Sequence, residues 1–443
     1  MLKKIINRAL ELGFSDYQIV VTEDNTNEIN LFRGNVEKNF TGMDTTYYLK
    51  GIINNKLSVY TLAKNNCDLT DEEIDDILLK QKENVLSINS KDVFSIFEGS
   101  KEYPKIPKKE SNIGTLSVED RINLLKKLES SVYKYDSRIE LVAMCEFVEE
   151  TNKLRIVNSK GLDLSNENQY FYVILQVVAG SSKEDPNKVN NFEVKIGINV
   201  EDYNEDEFVE KVCKELISKI GASPVESKVY PVIMDKSAMA SLLGGFFMMF
   251  SGESLLRGLT GLKGRTGEKI VSEMISIVDD PLDEKSFSQQ AFDLEGVATS
   301  TKKVVDKGVF KMFLHNLKTA TACGTESTGN ASMNGITPQN FHIENGETPI
   351  EEVIGKVKEG LLIKDLMGLH AGLNPISGDF SCQSAGYLIK DGKIERPVTL
   401  IVVSGNFLKM LSEVEAVASD FEYSYTGFGS PSVLFKGLPI SGK

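Results

Sequence analysis

The sequence is poor in the residues that build most metal sites. Among 443 residues it has three histidines, His315, His342 and His370, and five cysteines that form no Cys-x-x-Cys pair. A zinc site is usually assembled from several His or Cys ligands at short spacings, so these positions contain no recognisable zinc motif. An odd number of widely spaced cysteines also disfavours a disulfide framework. It indicates thiols packed as small apolar side chains in a reducing compartment.

Three common nucleophile and nucleotide motifs are missing as well. Gly-x-Ser-x-Gly does not occur, and the nearest string, at residues 324–329, has the wrong spacing for a serine hydrolase. No Walker A sequence is present, which disfavours a P-loop nucleotide site. Gly258, Gly261 and Gly264 follow a predicted helix rather than a strand, so they indicate tight backbone and not a dinucleotide-binding loop.

Long apolar runs and an excess of positive charge are also lacking. The longest apolar stretch, residues 238–250, is shorter than the roughly 20 residues that cross a bilayer, and the first residues form no signal peptide. We therefore expect a cytoplasmic protein with no membrane segment. The chain has 50 Lys and Arg against 64 Asp and Glu, a net charge of −14. Nucleic-acid binding relies on cations that neutralise phosphates, so we expect no direct nucleic-acid partner.

Three folded units are expected. Their predicted bounds are 1–98, 117–222 and 228–443, and a linker at 99–116 separates the first two. Pro104, Pro107 and several lysines interrupt the apolar pattern there, which predicts a solvated connection. Helices and strands are mixed without βαβ regularity. This pattern predicts an α+β protein with mixed, mostly antiparallel sheets and packed helices.

Local signals predict the elements within these units. Apolar spacing over residues 2–10 predicts a first helix, and capping boxes begin helices at Thr70 and Ser117. Further helices are predicted at 208–220 and at 236–250. Another is predicted with Pro349 at its first helical position and its exit at Gly360. A turn is predicted at 158–161, and hairpins at 306–308 and 391–392. Strands are predicted at 18–21, 28–32, 45–49, 57–60, 139–145, 154–157, 170–178, 192–198, 229–234 and 398–403.

Several strings of the last unit resemble the TldD/PmbA family, which is often labelled as modulators of DNA gyrase and is related to metalloproteases. The strings lie at residues 257–268, 292–299, 374–381, 429–434 and 438–442. Their order and spacing, with a weaker similarity near the N-terminus, extend the resemblance over most of the chain. The resemblance implies an N-terminal domain, a middle domain and a larger C-terminal domain.

The resemblance also implies a branch of that family. The TldD-like branch carries His-Glu-x-x-x-His on a helix and a cysteine near the C-terminus, which together form a zinc site. Here the helix positions fall on Gly244, Gly245 and Met249, and no cysteine follows Cys382. The sequence is therefore similar to the PmbA or TldE branch. That similarity implies a subunit without a catalytic residue or cofactor of its own, paired with a TldD-like subunit that holds the zinc.

The apolar helix predicted at 236–250 allows two interpretations that do not exclude each other. It is either buried in the core or turned into a subunit interface, since Met and Phe are enriched at the centres of interfaces. By the resemblance, residues that shape a peptide chamber are expected in the last unit, although its Gly-Asp-Phe string equally suits a structural turn. These expected residues are Arg257, Asn374, Gly378, Asp379 and Phe380.

Three functional hypotheses stay open at this point. The leading one is a PmbA/TldE-like subunit of a TldD/TldE-type metalloprotease that matures or degrades small or unfolded peptides, as a heterodimer or as a homodimer. A second is an independent homodimeric metallo-hydrolase that uses His315 or His370 with Cys323 or Asp379. A third is a non-proteolytic regulator that binds gyrase or another protein.

Overall fold

The computed structural model describes residues 1–65, 68–89, 92–107, 111–182 and 185–443. Its first 222 residues contain helices α1 (Leu2–Glu11), α2 (Asp71–Ser87), α3 (Val118–Tyr135) and α4 (Glu205–Ser218), and strands β1 (Asp16–Phe32), β2 (Asn35–Ile53), β3 (Lys56–Ala63), β4 (Ile139–Asn158), β5 (Asp163–Ala179) and β6 (Val189–Gly197). Short 3₁₀ turns lie at Ile113–Thr115 and Val200–Asp202.

The predicted start signals of two helices are confirmed. The side-chain oxygen of Thr70 accepts a hydrogen bond from the Glu73 N–H (3.2 Å), and the Glu73 carboxylate accepts one from the Thr70 N–H (2.7 Å). Ser117 and Asp120 form the same reciprocal pair at the start of α3. Both boxes satisfy backbone donors that the first turn of a helix leaves without a partner.

The strands of this region form one antiparallel sheet in the order β3-β2-β1-β4-β5-β6. β1 pairs with β4 from Gln18 opposite Asn158 to Asn30 opposite Glu146. Residues on the two sides of the predicted linker thus share a sheet. The division of this region into separate units at 1–98 and 117–222 stays a prediction.

Two of these strands run longer than predicted. The pieces predicted at 18–21 and 28–32 belong to the single strand β1, and those at 139–145 and 154–157 belong to β4. Polar residues interrupt the apolar pattern between the pieces, but the cross-strand ladder continues because backbone pairing needs no apolar side chain. The turn at 158–161 is confirmed, with the Asn158 N–H donating to the Leu162 carbonyl (3.0 Å).

Helices α1 to α4 pack on one face of this sheet. α1 and α2 join a cluster that includes Ile19 of β1, while α3 and α4 join one that includes Ile29. Side chains alternate along a strand, so residues an even number apart point to the same side. The opposite face, which includes Val20 and Glu28, therefore carries none of these four helices.

The stretch predicted as a solvated linker is packed where the structure describes it. The Tyr103 hydroxyl donates to the Gly296 carbonyl (2.7 Å), and the Ser100 side chain accepts from the Ala298 N–H (3.0 Å). Residues 100–103 are therefore attached to the C-terminal part of the chain. Lys108 and Lys109, which contributed to the prediction, lie outside the described residues, as does Cys67.

The remaining elements follow in chain order. The helices are α5 (Lys236–Phe246), α6 (Gly252–Arg257), α7 (Leu317–Cys323), α8 (Ile350–Gly355), α9 (Leu369–Gly372) and α10 (Phe407–Ser412), with a 3₁₀ turn at Phe247–Phe250. The strands are β7 (Lys228–Met234), β8 (Ile277–Asp279), β9 (Lys302–Asp306), β10 (Val309–Phe310), β11 (Ala331–Ser332), β12 (Gly335–Ile336), β13 (Phe341–Ile343), β14 (Glu359–Met367), β15 (Leu373–Asn374), β16 (Asp379–Lys390), β17 (Lys393–Asn406), β18 (Val414–Val417), β19 (Glu422–Tyr423), β20 (Phe428–Ser430) and β21 (Val433–Ser441).

A closed ring of strands organises this C-terminal part. β14, β7, β21, β17 and β16 are neighbours in that order, and β16 pairs back onto β14. A second sheet has the order β10-β9-β8-β13-β20-β19, and α5 contacts β14 of the ring and β20 of this sheet. Most pairings are antiparallel, whereas β7–β14 and β13–β20 are parallel. The predicted α+β class is confirmed.

Both predicted bounds of the helix near Pro349 are wrong. Pro349 caps α8 rather than occupying its first turn, and the helix ends at Gly355, whereas Gly360 lies in β14. A Cβ atom on Gly360 would lie 2.6 Å from the carbonyl oxygen of Pro231. The glycine thus permits close approach of two strands and does not mark a helix exit. The hairpins at 306–308 and 391–392 are confirmed.

Among the described residues, no helix combines the length and the apolar composition that crossing a membrane requires.

Candidate functional site

Helix α5 carries the positions at which the family resemblance expects a metal motif. The Asp235 carboxylate caps its start by accepting from the Ser237 N–H (3.1 Å). Leu242, Leu243 and Phe246 are fully buried, which supports the core interpretation of this helix. The helix predicted to reach residue 250 ends at Phe246 and continues as the tighter turn Phe247–Phe250.

The motif positions themselves are closed by packing. A Cβ atom on Gly244 would lie 3.1 Å from Cδ2 of Phe428, and one on Gly245 would lie 2.2 Å from Cδ1 of Leu373. Met249 is 1% exposed. Two glycines and a buried thioether offer none of the nitrogen, carboxylate or thiolate ligands that zinc prefers. The residues present at these positions do not fit the zinc ion that the family implies.

Four of the five predicted chamber residues lie in the hairpin between β15 and β16. The Asn374 side chain accepts from the backbone N–H groups of Ile376 (3.1 Å) and Ser377 (3.2 Å), and Gly378 has φ = +84°, which favours glycine. Asp379 accepts from the Asn406 side chain (2.9 Å), and this hydrogen bond and one with Ser377 hold the pKa of Asp379 below its usual value.

Phe380, the fourth residue of the hairpin, and Arg257 have different surroundings. Phe380 is 3% exposed, and its ring packs 6.4 Å from that of Phe246, so it fastens the hairpin to α5. Arg257 ends α6, away from the hairpin, and forms an exposed ion pair with Glu253 at 3.9 Å. The structure thus brings together Asn374, Gly378, Asp379 and Phe380 but not Arg257. A peptide-chamber role stays a prediction for all five.

The three histidines lie on separate elements. His315 is buried, its Nδ1 is 3.1 Å from the Thr319 hydroxyl, and burial lowers its pKa. His342 lies in β13 and packs edge-on against the rings of Phe421 and Tyr423, and His370 is exposed on α9. Over the described ranges, no group of three or more His, Cys, Asp or Glu residues is placed to hold a metal ion. No observation therefore favours a metal site built from His315 or His370 with Cys323 or Asp379.

A cleft of about 990 Å³ was not predicted from the sequence. It lies between β6 and α4 on one side and α5 and β19 on the other, with Ser237, Ala240 and Ser241 of α5 on its wall. These residues follow the i, i+3, i+4 spacing of one helix face, and the next position on that face is Gly244. Gly244, against which Phe428 is packed, thus follows the cleft-lining residues on the same side of α5.

Ion pairs connect the two walls of this cleft. Lys364 of β14 lies 3.0 Å from Asp235 and 3.6 Å from Glu215 of α4. Burial lowers the pKa of Lys364, but these two carboxylates together raise it above its usual value. A sequence signal existed, because Lys364 interrupts the apolar run of β14. Only the fold shows which carboxylates it meets.

The string at 292–299 forms a loop that rests on the sheet of the first 222 residues. Phe292 and Leu294 pack with Val20 and Ile156 of that sheet. Asp293 accepts from the backbone N–H groups of Glu295 (2.9 Å), Val297 (3.0 Å) and Ala331 (2.9 Å), although burial raises its pKa to about 6. Glu295 accepts from the Leu317 N–H (2.8 Å), and burial followed by repulsion from Asp293 raises its pKa to about 7.

Comparison with known proteins identifies the family. Two family models match: the PmbA/TldA metallopeptidase central domain at residues 111–222 and the PmbA/TldA metallopeptidase C-terminal domain at residues 227–442. A metalloprotease of Archaeoglobus fulgidus is 30% identical over 314 residues, which cover 68% of this chain and 70% of that protein. The metalloprotease PmbA of Escherichia coli O157:H7 is 25% identical over 329 residues, covering 74% of this chain and 71% of that protein.

Solved structures share the fold. A crystal structure from Thermotoga maritima, of a candidate modulator of a DNA gyrase, matches with a TM-score of 0.90 and 30% identity and covers 100% of both chains. The crystal structure of TldE from Thermococcus kodakarensis matches with a TM-score of 0.87 and 24% identity, also over 100% of both chains, and supports the fold.

Fold and sequence together place the chain in a family whose domains are described as metallopeptidase domains. The chain belongs to the PmbA/TldD family, and the resemblance inferred from its sequence strings is confirmed. Its named relatives connect that family with proteolysis.

Proposed function

We propose that this chain is a PmbA/TldE-like, non-catalytic subunit of a TldD-type metalloprotease complex that acts on small or unfolded peptides in the cytoplasm. The observation that carries the proposal is the packing of Phe428 and Leu373 against Gly244 and Gly245. This packing occupies the space in which the side chains of a metal motif would begin. The zinc ion would belong to a TldD-like partner with His-Glu-x-x-x-His.

The cleft supports a role in holding the peptide. β6 is an edge strand, and its residues line the cleft together with Ser237, Ala240 and Ser241 of α5. An extended peptide can add to such an edge through main-chain hydrogen bonds, which give affinity with little sequence preference. In this proposal the chain contributes one wall of a peptide chamber, and the partner contributes the chemistry.

The first experiment is native purification from the source cell, with mass spectrometry of co-eluting proteins and a zinc determination on the isolated chain. We expect a His-Glu-x-x-x-His paralogue at equal stoichiometry, no zinc in the isolated chain, and cleavage of fluorescein-labelled casein only when both subunits are present. Zinc-dependent cleavage by the isolated chain would refute the proposal.

A variant pair tests the role of the cleft. Ser241→Trp places a large ring on the exposed side of α5 that lines the cleft, and we expect it to reduce casein cleavage by the complex without releasing the paralogue. Ser87→Trp makes the same substitution at an exposed position at the end of α2 and serves as the control. Equal activity of the two variants would remove the cleft from the proposed function.

A further inference from the structure

The helix-free face of the first sheet divides into a covered part and an open part. The covered part contains Val20 and Ile156, on which the loop carrying Phe292 and Leu294 is packed. Toward the other end of β1, the same face continues through Thr26 and the residues beyond it. No contact of the loop cluster extends to those residues among the described part of the chain.

The cross-strand register defines the side chains of the open part. Glu28 of β1 lies between Phe40 of β2 and Val148 of β4, and Val148 is followed by Tyr172 of β5. The neighbouring rows place further acidic residues beside Glu28. We call this surface the acidic face and define it by its carboxylates, which are Asp24, Glu28, Asp44, Glu146 and Glu150.

Positive charge on the acidic face is scarce. In the rows from Asp24 to Asn30, the register adds one cation, Lys38, whose Nζ lies 2.7 Å from the Glu28 carboxylate. Within the described ranges, no Lys, Arg or His forms an ion pair with Glu146 or Glu150, whose hydrogen bonds come from neutral groups. The Asn30 amide donates to Glu146 (2.6 Å), and the hydroxyls of Thr26 (3.0 Å) and Tyr172 (3.3 Å) donate to Glu150.

These carboxylates are incompletely compensated. Burial, followed by repulsion from Glu28, raises the pKa of Glu146, although the charge of Lys38 and the Asn30 hydrogen bond act in the opposite direction. Burial also raises the pKa of Glu150, even though two hydroxyls donate to it. Burial and the charge of Glu150 together raise the pKa of Tyr170 to about 12. A cation brought to this surface would relieve both the burial penalty and the mutual repulsion.

Aromatic rings stand between the carboxylates. The rings of Tyr170 and Tyr172 are 6.3 Å apart, and Phe40 is 45% exposed at the side of β2. Lysine and arginine pack their aliphatic stems on such rings while their charged ends reach acidic groups, and cations are attracted to ring faces. The acidic face therefore offers both halves of a site for basic side chains.

The acidic face is continuous with the cleft. Tyr170 contacts the ring of Phe287 at 5.1 Å, and Phe287 lines the cleft. Ile196 of β6, directly opposite Tyr172, lines it as well. A polypeptide lying along β6 would thus pass directly onto the acidic face.

We propose that the acidic face is a docking surface for an extended, lysine- and arginine-rich segment of polypeptide. The proposal rests on the proposed function only in taking an unfolded peptide as the ligand. Charge complementarity selects this occupant. A second copy of the chain carries the same acidic face and a net charge of −14, and nucleic acids and anionic membranes are likewise repelled.

The test is a fluorescence-anisotropy titration of the full chain with three labelled 12-residue peptides. In these peptides Lys, Gln or Glu alternates with Ala. We expect the Lys peptide to bind with an affinity that falls as salt rises, and the Gln and Glu peptides to bind much more weakly. The variant Glu146→Gln/Glu150→Gln keeps the shape and the oxygen acceptors, and should bind the Lys peptide about five- to tenfold more weakly.

The control variant is Glu83→Gln/Glu351→Gln, which makes the same charge change at exposed positions on α2 and α8. An equal loss in this control, equal binding of the Gln peptide, or no binding of the Lys peptide would overturn the proposal. Carbodiimide cross-linking of the Lys peptide to the wild-type chain is independent of any variant's folding and should modify Glu146 or Glu150. Cross-links confined to other carboxylates would also overturn it. Failure to recover a paralogue would defeat the proposed function and leave these results unchanged.

Discussion

Replacing Glu295 with Gln tests whether the folded loop at 292–299 makes ionisation of the Glu295 carboxylate unfavourable. Gln keeps an oxygen that can accept from the Leu317 N–H, so the substitution mainly removes the charge. Burial and the neighbouring Asp293 raise the pKa of Glu295 from an ordinary 4.5 to about 7. At ~1.4 kcal/mol per pKa unit, ionising this group in the folded chain costs about 3 kcal/mol.

The sign follows from proton linkage. A carboxylate with a raised pKa binds more protons in the folded state, so its contribution to stability falls as pH rises from 4.5 through 7. The Glu295→Gln variant lacks this loss. The variant's free energy of unfolding minus that of wild type should therefore be larger at pH 8 than at pH 5 by about 2 to 3 kcal/mol, which means that the variant is relatively more stable at high pH. Lys50 reduces part of this gain. Burial lowers the pKa of Lys50, whereas the charges of Glu295 and Asp293 raise it. Removing the Glu295 charge therefore weakens an attraction that favours protonated Lys50.

The assay is urea unfolding at pH 5, 6, 7 and 8, followed by circular dichroism. Comparing the two ends of the pH range cancels any loss that does not titrate, such as a weaker hydrogen bond. Glu83→Gln, at an exposed position of α2, is the matched control and should show no pH-dependent difference from wild type. If the difference in free energy of unfolding between Glu295→Gln and wild type stays constant from pH 5 to pH 8, the reasoning is refuted.

Three further predictions concern α5 and the cleft. Installing His, Glu and His at Gly244, Gly245 and Met249 should give no zinc-dependent casein cleavage, because Phe428 and Leu373 crowd two of these positions and the described residues contain no cluster of further ligands to support the ion. Phe246→Ala should lower the free energy of unfolding by about 3 to 5 kcal/mol in urea titrations, since it empties a fully buried site. Lys364→Met should cost about 3 kcal/mol in the same assay, because it leaves two carboxylates at the cleft without their shared cation.

Each of these predictions has a defined contradiction. Robust peptidase activity in the triple variant would show that the site is less degenerate than its packing indicates. Met248→Ala, at a side chain that is 40% exposed, should cost no more than about 1 kcal/mol, and a loss equal to that of Phe246→Ala would contradict the buried role of α5. Lys390→Met removes an exposed ion pair with Glu395, and its effect should stay below about 1 kcal/mol.

Local interactions explain which features could be predicted from the sequence. The capping boxes at Thr70 and Ser117 join residues three positions apart, so their donors and acceptors are visible in the chain itself. The hairpins at 306–308 and 391–392 depend on residues that tolerate positive φ and were predicted for the same reason. By contrast, β1 and β4 appeared as fragments because polar residues interrupt their apolar pattern.

The candidate site was only partly accessible from the sequence. The strings that resemble the family gave the positions Gly244, Gly245 and Met249. They also named Asn374, Gly378, Asp379 and Phe380, which the structure brings together in one hairpin because they are close in the chain. No pattern in the sequence indicated that Phe428 and Leu373 pack against the two glycines, since these side chains come from distant segments.

The amino-acid sequence by itself determined the family of this protein, its α+β class and the starts of its capped helices. These properties depend on residue identity and on neighbours within a few positions. Only the tertiary structure decided that β1 and β4 share one sheet, that Lys364 meets Asp235 and Glu215, and that a cleft and an acidic face adjoin each other. Such features arise from contacts between residues more than a hundred positions apart, which no local pattern specifies.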